Sequence, residues 1–395
     1  MKRIALSTLS LALLGVAGIA HAQSSVTLYG VLDESVQYVN NATPKGGSLV
    51  QLFAGNLQAN RFGLKGTEDL GGGLKAIFQI ENGFDLNTGK LGQGGLMFGR
   101  QAYVGLTGDS WGTVTAGRQY DPLVDMIQPL TADNYWGSTF TTPGDVDNND
   151  NSFRVNNAVK YVSPVWSGFQ FEGLYGFGGV AGSTGSGQTY AGAATYSIGG
   201  FSGAAGYLRT KNASTNDPAR SGWNSTTTIG GTFDLASSTV TGINNAYQTA
   251  SSIGIASVVV QYVTGPWTGA LGYSNAQYYQ DSQSTFRQTQ KYEVGRAYLG
   301  YQLTPAALVG LGYIYTKGHG DASATYNQVS LGGDYNLSKR TDVYLVGAWQ
   351  HASGEQRVPG AGGGLESATA SIGSYGNQAS TNNQVMVSLG IRHKF

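Results

Sequence analysis

The sequence predicts an all-β fold: a single antiparallel, transmembrane β-barrel of sixteen strands. Three observations predict it. The chain begins with an export signal, the rest of it alternates polar and apolar residues with a period of two, and short turns alternate with long polar segments. Only helices and closed barrels satisfy their backbone hydrogen bonds in lipid. No later stretch approaches the ~18–20 uninterrupted apolar residues of a membrane helix, which favours the barrel.

The first 22 residues have the three parts of a secretory signal peptide. Lys2 and Arg3 are positive, residues 4–20 are mostly apolar and uncharged, and residues 20–22 read Ala-His-Ala. This pattern predicts cleavage between Ala22 and Gln23, which leaves residues 23–395 as one barrel domain. The alternative, a retained membrane anchor, is disfavoured by the short apolar run.

Composition excludes several classes of protein. Without residues 1–22 the chain has 21 basic and 23 acidic side chains, which is a net charge of about −2. This charge excludes a generally basic nucleic-acid binder. There is no cysteine for a disulfide framework or a thiolate metal site. Glycine (61) and tyrosine (24) are abundant and proline (9) is scarce. This composition suits closely packed strands and aromatic girdles at a membrane interface.

The end of the chain shows the alternation most clearly. Residues 385–395 place Val, Val, Leu, Ile, His and Phe on one face, and the intervening Met, Ser, Gly, Arg and Lys on the other. The apolar face is predicted to meet lipid and the polar face the lumen. A soluble sandwich would also alternate, but it would not need the regular change between tight turns and long loops.

Sixteen strands are predicted, and tight turns and long loops alternate between them. The strands begin near Val26, Asn60, Leu74, Arg100, Thr113, Arg154, Phe169, Thr189, Phe201, Ile253, Trp267, Glu293, Ala307, Tyr326, Asp342 and Asn383. The long segments are 40–58, 85–96, 121–153, 178–187, 211–250, 279–291, 316–325 and 352–382. Short periplasmic turns and long external loops are typical of outer-membrane barrels, and sixteen strands leave an aqueous channel. Segment 211–250 is interpreted as a loop, with an extra strand pair near Thr226–Leu235 as the alternative.

Alternation also indicates which charged side chains face the lumen. Phe62 and Leu64 point to lipid, so Arg61 and Lys65 point inward. The same argument places Lys75, Arg154, Lys160 and Arg296 in the lumen. Arg100 shares the parity of Val104 and Leu106, but a charge facing lipid at the bilayer centre costs roughly 2–4 kcal/mol. We therefore expect Arg100 to turn inward at its strand end.

Five segments, in this order, resemble the general diffusion porins of Gram-negative bacteria, and most closely the trimeric porins of betaproteobacteria. They are residues 25–33 (SVTLYGVLD), 61–71 (RFGLKGTEDLG), 100–106 (RQAYVGL), 117–119 (GRQ) and 390–395 (GIRHKF). The resemblance implies a homotrimer in the outer membrane, with one pore per subunit. It also implies that the third loop, 121–153, folds into the barrel, and that the barrel-insertion machinery recognises Phe395. Outer-membrane lipid and lipopolysaccharide are the expected surroundings.

The resemblance also suggests residue roles at the constriction. Arg61, Arg100 and Arg154 match the arginines of one pore wall, and Asp125, with Asp121 nearby, matches the acidic third loop that faces them. A second loop carboxylate has no counterpart, because Leu130 and Thr131 fall at its place. This favours anion preference over a neutral or cation-selective pore. Arg118 has outward parity, and the resemblance places it at the trimer interface.

The expected function is passive diffusion of small hydrophilic solutes and ions, with anions preferred. The alternatives are a sugar-specific channel and a surface adhesin. An enzyme is not expected, because His319, His351 and His393 have no evident catalytic partner. No cofactor or metal is expected. Residues 145–151 resemble the start of a calcium loop, but that loop would need glycine at position 150 and glutamate at position 156.

Overall fold

The computed structural model describes residues 25–43, 45–212, 232–233, 243–359, 363–375 and 378–395. The predicted signal peptide and its cleavage site, Ala22 and Gln23, lie outside these residues. Among the described residues, no helix is long and apolar enough to cross a membrane.

Sixteen antiparallel strands form one closed wall, as the sequence predicts. They are β1 (Ser25–Val39), β2 (in two segments, Leu49–Ala54 and Arg61–Gly71), β3 (Leu74–Gly83), β4 (Gln101–Gly108), β5 (Gly112–Gln119), β6 (Phe153–Val162), β7 (Phe169–Gly176), β8 (Thr189–Ile198), β9 (Phe201–Lys211), β10 (Ser252–Thr264), β11 (Trp267–Tyr279), β12 (Gln290–Thr304), β13 (Ala307–His319), β14 (Ala324–Asn336), β15 (Thr341–Arg357) and β16 (Asn383–Lys394). Each strand pairs with the next, and β1 pairs with β16 to close the barrel.

The last residue completes the seam between β1 and β16. The backbone N–H of Phe395 donates to Gly30 O at 3.1 Å, and the N–H of Gly30 donates to Phe395 O at 3.0 Å. The Phe395 ring occupies the space where a Cβ at position 30 would lie, 2.3 Å from Cζ. Glycine at position 30 therefore allows the terminal ring to rest on the neighbouring strand.

The alternation has the predicted direction. On β16 the apolar face is exposed, whereas Gln384, Met386 and Ser388 are buried. Exposed aromatic residues form one row towards the tight turns and another towards the long loops, as in the girdles of membrane barrels. The first row contains Trp111, Trp166, Phe169, Tyr196, Phe201, Tyr262, Trp267 and Tyr335, and the second contains Tyr38, Tyr175, Tyr190, Tyr207, Tyr273, Tyr313 and Trp349.

The segment between β9 and β10 is not part of the wall. The two strands pair directly from Phe201 with Tyr262 to Lys211 with Ser252, so no strand is inserted between them. A two-residue strand, Thr232–Phe233, pairs instead with the start of β6. This agrees with the interpretation of 211–250 as a loop, although residues 213–231 and 234–242 lie outside the described part.

The second strand differs from the prediction. Residues 40–58 were expected to be one loop, but Leu49–Ala54 pairs with Glu34–Val39 and continues β2 towards the loop side. Residues 55–60, here called the inset, interrupt β2 between its two segments. Period-two patterning did not reveal Leu49–Ala54, because the inset separates it from the rest of the strand.

The third loop folds into the barrel, as expected. It contains the helices α1 (Pro122–Met126) and α2 (Asp133–Trp136) and short 3₁₀ turns, of which Gly137–Phe140 directly follows α2. Trp136 is fully buried against the lumen face of β13 and β14. A Cβ at Gly310 or Gly332 would lie only 2.4 or 2.3 Å from its indole. These two glycines form a notch that receives the ring.

Candidate functional site: the constriction of the lumen

Three arginines line one cavity of about 510 Å³ inside the barrel. Arg61 begins the second segment of β2, Arg154 lies near the start of β6, and Arg100 immediately precedes β4. Because Arg100 precedes its strand, it is not bound by the strand's alternation, and its backbone N–H donates to Glu81 O at 3.2 Å. All three predicted wall residues therefore meet in one place.

Glu81, on β3, connects this wall. Its Oε1 accepts hydrogen bonds from Arg100 Nε at 2.8 Å and from the Tyr120 hydroxyl at 2.9 Å. Its Oε2 accepts from the Tyr29 hydroxyl at 2.8 Å and lies 3.8 Å from Arg61 Nε. Alternation places Glu81 in the lumen, but sequence reasoning did not assign it to the constriction, since its partners come from four separate segments.

Tyr120 lies between two of the arginines. The guanidinium carbons of Arg100 and Arg154 are each 5.7 Å from the centre of its ring. This separation is within the range of cation–π attraction. Attraction of each guanidinium to the ring therefore offsets part of the repulsion between the two positive charges. No sequence signal singled out this tyrosine.

The loop carboxyls that share the cavity with the arginines are Asp133 and Asp150. Their side chains are close enough for each to affect the pKa of the other. Asp150 Oδ2 also accepts from the Ser138 hydroxyl at 2.6 Å and from the Ser374 hydroxyl. Burial raises the pKa of both carboxyls, and the proximity of Asp150 raises that of Asp133 further. The pair therefore binds a proton more readily than two separate, exposed aspartates would.

The structure places Asp121 and Asp125 elsewhere, which corrects their expected position opposite the arginines. Asp121 is fully buried and caps α1, where its Oδ1 accepts from Leu123 N at 2.9 Å. Asp125 pairs with Lys160. A short helix whose N-terminus needs a cap takes the first carboxylate, and the wall lysine takes the second. The absence of an acidic counterpart near Leu130 is corrected too, because Asp133 fills that role three residues later.

The other lumen charges hold the loop or lie away from the cavity. Lys160 Nζ is also 3.2 Å from Glu172 Oε1. Arg296 pairs with the third-loop residue Asp147 and bonds to Ser274 at 3.3 Å. Lys65 lies 5.4 Å from the centre of the Tyr29 ring, and Lys75 faces Asp69 across the strand pair near the tight turn. Lys160 on β6 and Arg296 on β12 thus anchor the third loop at two separate places on the wall.

Arg118 makes its bonds within the chain. Its Nε donates to Gly99 O at 2.7 Å, and its Nη1 donates to Asn156 Oδ1. A bulge between Gly117 and Gln119 interrupts the register of β5 at this point. These bonds account for the burial of Arg118 without a second subunit, and its assignment to the trimer interface stays a prediction.

The segment that resembles a calcium loop uses its carboxylates as hydrogen-bond acceptors. Asp145 accepts from the backbone N–H of Asp150 at 2.9 Å and of Ser152 at 3.0 Å. Burial raises the pKa of Asp145 to about 7, as it does that of Asp121. Within the described ranges, no group of three or more metal-ligating side chains is present.

Comparison with known proteins finds related chains. The model of a family described as Gram-negative porin matches residues 7–355. An outer membrane porin protein of Bordetella pertussis is 38% identical over 192 residues, which cover 45% of this chain and 48% of that protein. The chain thus spans about half the length of this relative. The major outer membrane protein P.IB of Neisseria gonorrhoeae is 27% identical over 374 residues, with coverage of 91% and 96%.

Among solved structures, an anion-selective porin from Comamonas acidovorans superposes with a TM-score of 0.70. The match covers 94% of this chain and 100% of that one at 23% identity, and it supports the fold. The match of the family model across most of the sequence shows that the chain belongs to the Gram-negative porins, and its relatives from Bordetella and Neisseria are outer membrane proteins.

Proposed function

We propose that this chain forms a water-filled channel for passive diffusion of small hydrophilic solutes and ions, with a preference for anions. The observation that carries the preference is the grouping of three guanidinium groups on one wall of the cavity. The low-dielectric protein around a narrow passage focuses their field, so a few charges decide which ions enter. The facing Asp133–Asp150 pair has raised pKa values, which favour bound protons, so the pair offsets this field only in part.

Single-channel recording in a planar bilayer under a KCl gradient tests this proposal. We expect the reversal potential to lie between zero and the equilibrium potential of chloride. Arg61→Ala and Arg154→Ala should each move it towards zero, because each removes one positive charge from the wall. The matched control is Lys75→Ala, which removes a lumen charge outside the cavity and should have a smaller effect. A cation-selective wild-type channel would refute the anion preference.

Two other functions give different results in the same apparatus. A sugar-specific channel would show current blocked in a saturable way by one sugar. A surface adhesin or purely structural barrel would show no conductance. An enzyme is not favoured, since His351 Nδ1 bonds to Asn383 Oδ1 at 3.1 Å and His393 Nδ1 to Thr341 Oγ1 at 2.9 Å, which does not form a catalytic arrangement.

We further propose a homotrimer, embedded in outer-membrane lipid and lipopolysaccharide, with Arg118 close to the subunit contact. Exposed apolar residues on β1 and β2, including Val26, Leu28, Val50 and Leu52, belong to the outer surface that lipid or neighbouring subunits would cover. Unheated protein should migrate near three times the monomer mass, and heating should convert it to monomer. Monomeric migration without heating in mild detergent would contradict the trimer.

A further inference from the structure

The inset, Gly55–Asn60, turns inward where β2 is interrupted. Gly55, Leu57, Gln58 and Ala59 line the same cavity as the three arginines. The inset follows directly from the wall, and Arg61 Nη1 donates to Ala59 O at 3.3 Å. The cavity is therefore bordered by a second inward element, in addition to the third loop.

One buried carboxylate on β1, that of Asp33, bonds to the backbone of the inset. Asp33 Oδ2 accepts from the backbone N–H groups of Leu57 and Gln58, both at 2.7 Å. The backbone of Asp33 donates to Asn60 Oδ1 at 2.6 Å and accepts from Gly55 N at 2.8 Å. The hydroxyl of Tyr344 donates to Asp33 Oδ1 at 2.5 Å. Charge-assisted bonds to a carboxylate are among the stronger hydrogen bonds in proteins.

Two loops hold the inset from the other side. A Cβ at Gly137, in the third loop, would lie 2.4 Å from Leu57 O, so the two backbones are in direct contact. The Tyr375 hydroxyl, in the last loop, donates to Asn56 Oδ1 at 2.6 Å and lies 2.7 Å from Thr139 Oγ1. The inset is thereby fixed between the barrel wall and the inner loops.

We propose that the inset is a fixed second side of the constriction and that Asp33 is the residue that positions it. This inference rests on the proposed channel function. On this proposal two elements, the third loop and the inset, together determine the width of the pore. Asp33 acts through the inset and does not itself contact the permeating solute.

The absence of cysteine from the chain allows a direct test. In Gln58→Cys, the single thiolate attacks a negatively charged methanethiosulfonate reagent, forms a mixed disulfide and releases methanesulfinate. We expect this to reduce single-channel conductance about twofold or more, because it adds bulk at a narrow, ion-lined position. Thr195→Cys on β8 is the control, since Thr195 faces the lumen away from the cavity. An equally small effect at both positions would overturn the proposal.

Asp33→Asn tests the positioning role. We expect faster entry of a disaccharide relative to a monosaccharide in liposome swelling, because the inset loses its anionic acceptor. Asp342→Asn is the matched control: Asp342 is also a buried lumen carboxylate, it pairs with Arg392 at 3.0 Å, and Arg392 faces Asp33 across the β1–β16 pair. It should leave the swelling ratio unchanged, because Asp342 makes no contact with the inset.

The outcomes separate the two proposals. If unmodified protein shows no conductance, the channel function fails. If conductance is normal but a folded Asp33→Asn variant keeps the wild-type swelling ratio, Asp33 does not position the inset. Should that variant fail to fold, Tyr344→Phe removes one hydrogen bond from the same carboxylate, and an unchanged ratio there also overturns the proposal.

Discussion

At the scale of residues, the constriction is a balance between guanidinium and carboxyl groups. Glu81 accepts from Arg100 at 2.8 Å and lies 3.8 Å from Arg61, so part of the positive wall is neutralised at its base. Net charge along the passage then depends on Glu81 and on the protonation of Asp133 and Asp150. Few groups decide selectivity because the surrounding protein screens them poorly.

Glu81→Gln should strengthen the anion preference. The substitution removes one negative charge from the wall and leaves the arginines with a neutral acceptor of the same shape. The reversal potential in a KCl gradient should move closer to the equilibrium potential of chloride. Glu68→Gln, on an exposed position of β2, is the control and should have little effect. A shift towards cations in Glu81→Gln would contradict the charge balance described above.

Acidification should strengthen the anion preference reversibly. Burial raises the pKa of Asp133 and of Asp150, so these carboxyls take up protons at a pH where ordinary aspartates are ionised. Below their raised pKa values the negative side of the cavity is neutral, and above them it is charged. Reversal potentials measured from pH ~8 to pH ~5 should therefore move towards the equilibrium potential of chloride as the pH falls. The shift should be smaller in Asp150→Asn, and a shift towards cations on acidification would refute this origin.

At the scale of elements, the third loop is held by packing as well as by charge. Trp136 Nε1 donates to the Tyr298 hydroxyl at 3.0 Å, and the indole stacks on Phe140 with ring centres 5.6 Å apart. The glycine notch of β13 and β14 receives the indole, and Gly312 lies against the Phe140 ring. Ion pairs from Lys160 and Arg296 fix the loop at two further points. These contacts attach the loop to the inner wall of the barrel at several points.

Trp136→Ala should loosen the third loop. Removing a fully buried indole costs about 3–5 kcal/mol through lost burial and the cavity left behind. We expect lower thermal stability, together with noisier single-channel currents, because the loop is no longer seated against the wall. Trp349→Ala, at an exposed position of β15, is the control for loss of a tryptophan. Quiet, wild-type currents in folded Trp136→Ala protein would show that packing of this ring does not fix the constriction.

At the scale of the whole molecule, closure between the first and last strands leaves no unpaired edge in the lipid. The nine residue pairs from Val31–Lys394 to Val39–Met386 form this seam. Phe395 extends it by one further pair with Gly30. A barrel cannot be stable in lipid until this last pairing is made, because open backbone groups have no water to bind.

Phe395→Ala should slow barrel assembly. Loss of the partly covered ring removes roughly 1–2 kcal/mol of apolar contact at the seam. The fraction of heat-modifiable, folded protein formed in lipid vesicles should fall at early times. His393→Ala is a matched control on the same outward face of β16. Equal folding rates of wild type and Phe395→Ala in vesicles would contradict a role of the ring in closure.

The architecture and much of the pore wall were predictable from the sequence. Period-two alternation located the sixteen strands to within a few residues in most cases, because lipid outside and water inside impose opposite preferences on neighbouring residues. The same alternation correctly predicted that Arg61 and Arg154 point into the lumen. The cost of a charge in lipid correctly placed Arg100 in the lumen, where an unaided parity count would have failed.

The sequence by itself determined the closed barrel, its strand order and the presence of a basic wall. Tertiary structure alone decided which groups meet that wall. The inset is bonded to Asp33, whose carboxylate also accepts from Tyr344, 311 positions away in the chain. The loop carboxyls that share the cavity with the arginines are Asp133 and Asp150 instead of Asp121 and Asp125. Strand patterns are local and follow from solvent on each face. The path of an inward loop depends on helix capping, ion pairs and a glycine notch that become neighbours only after the barrel closes.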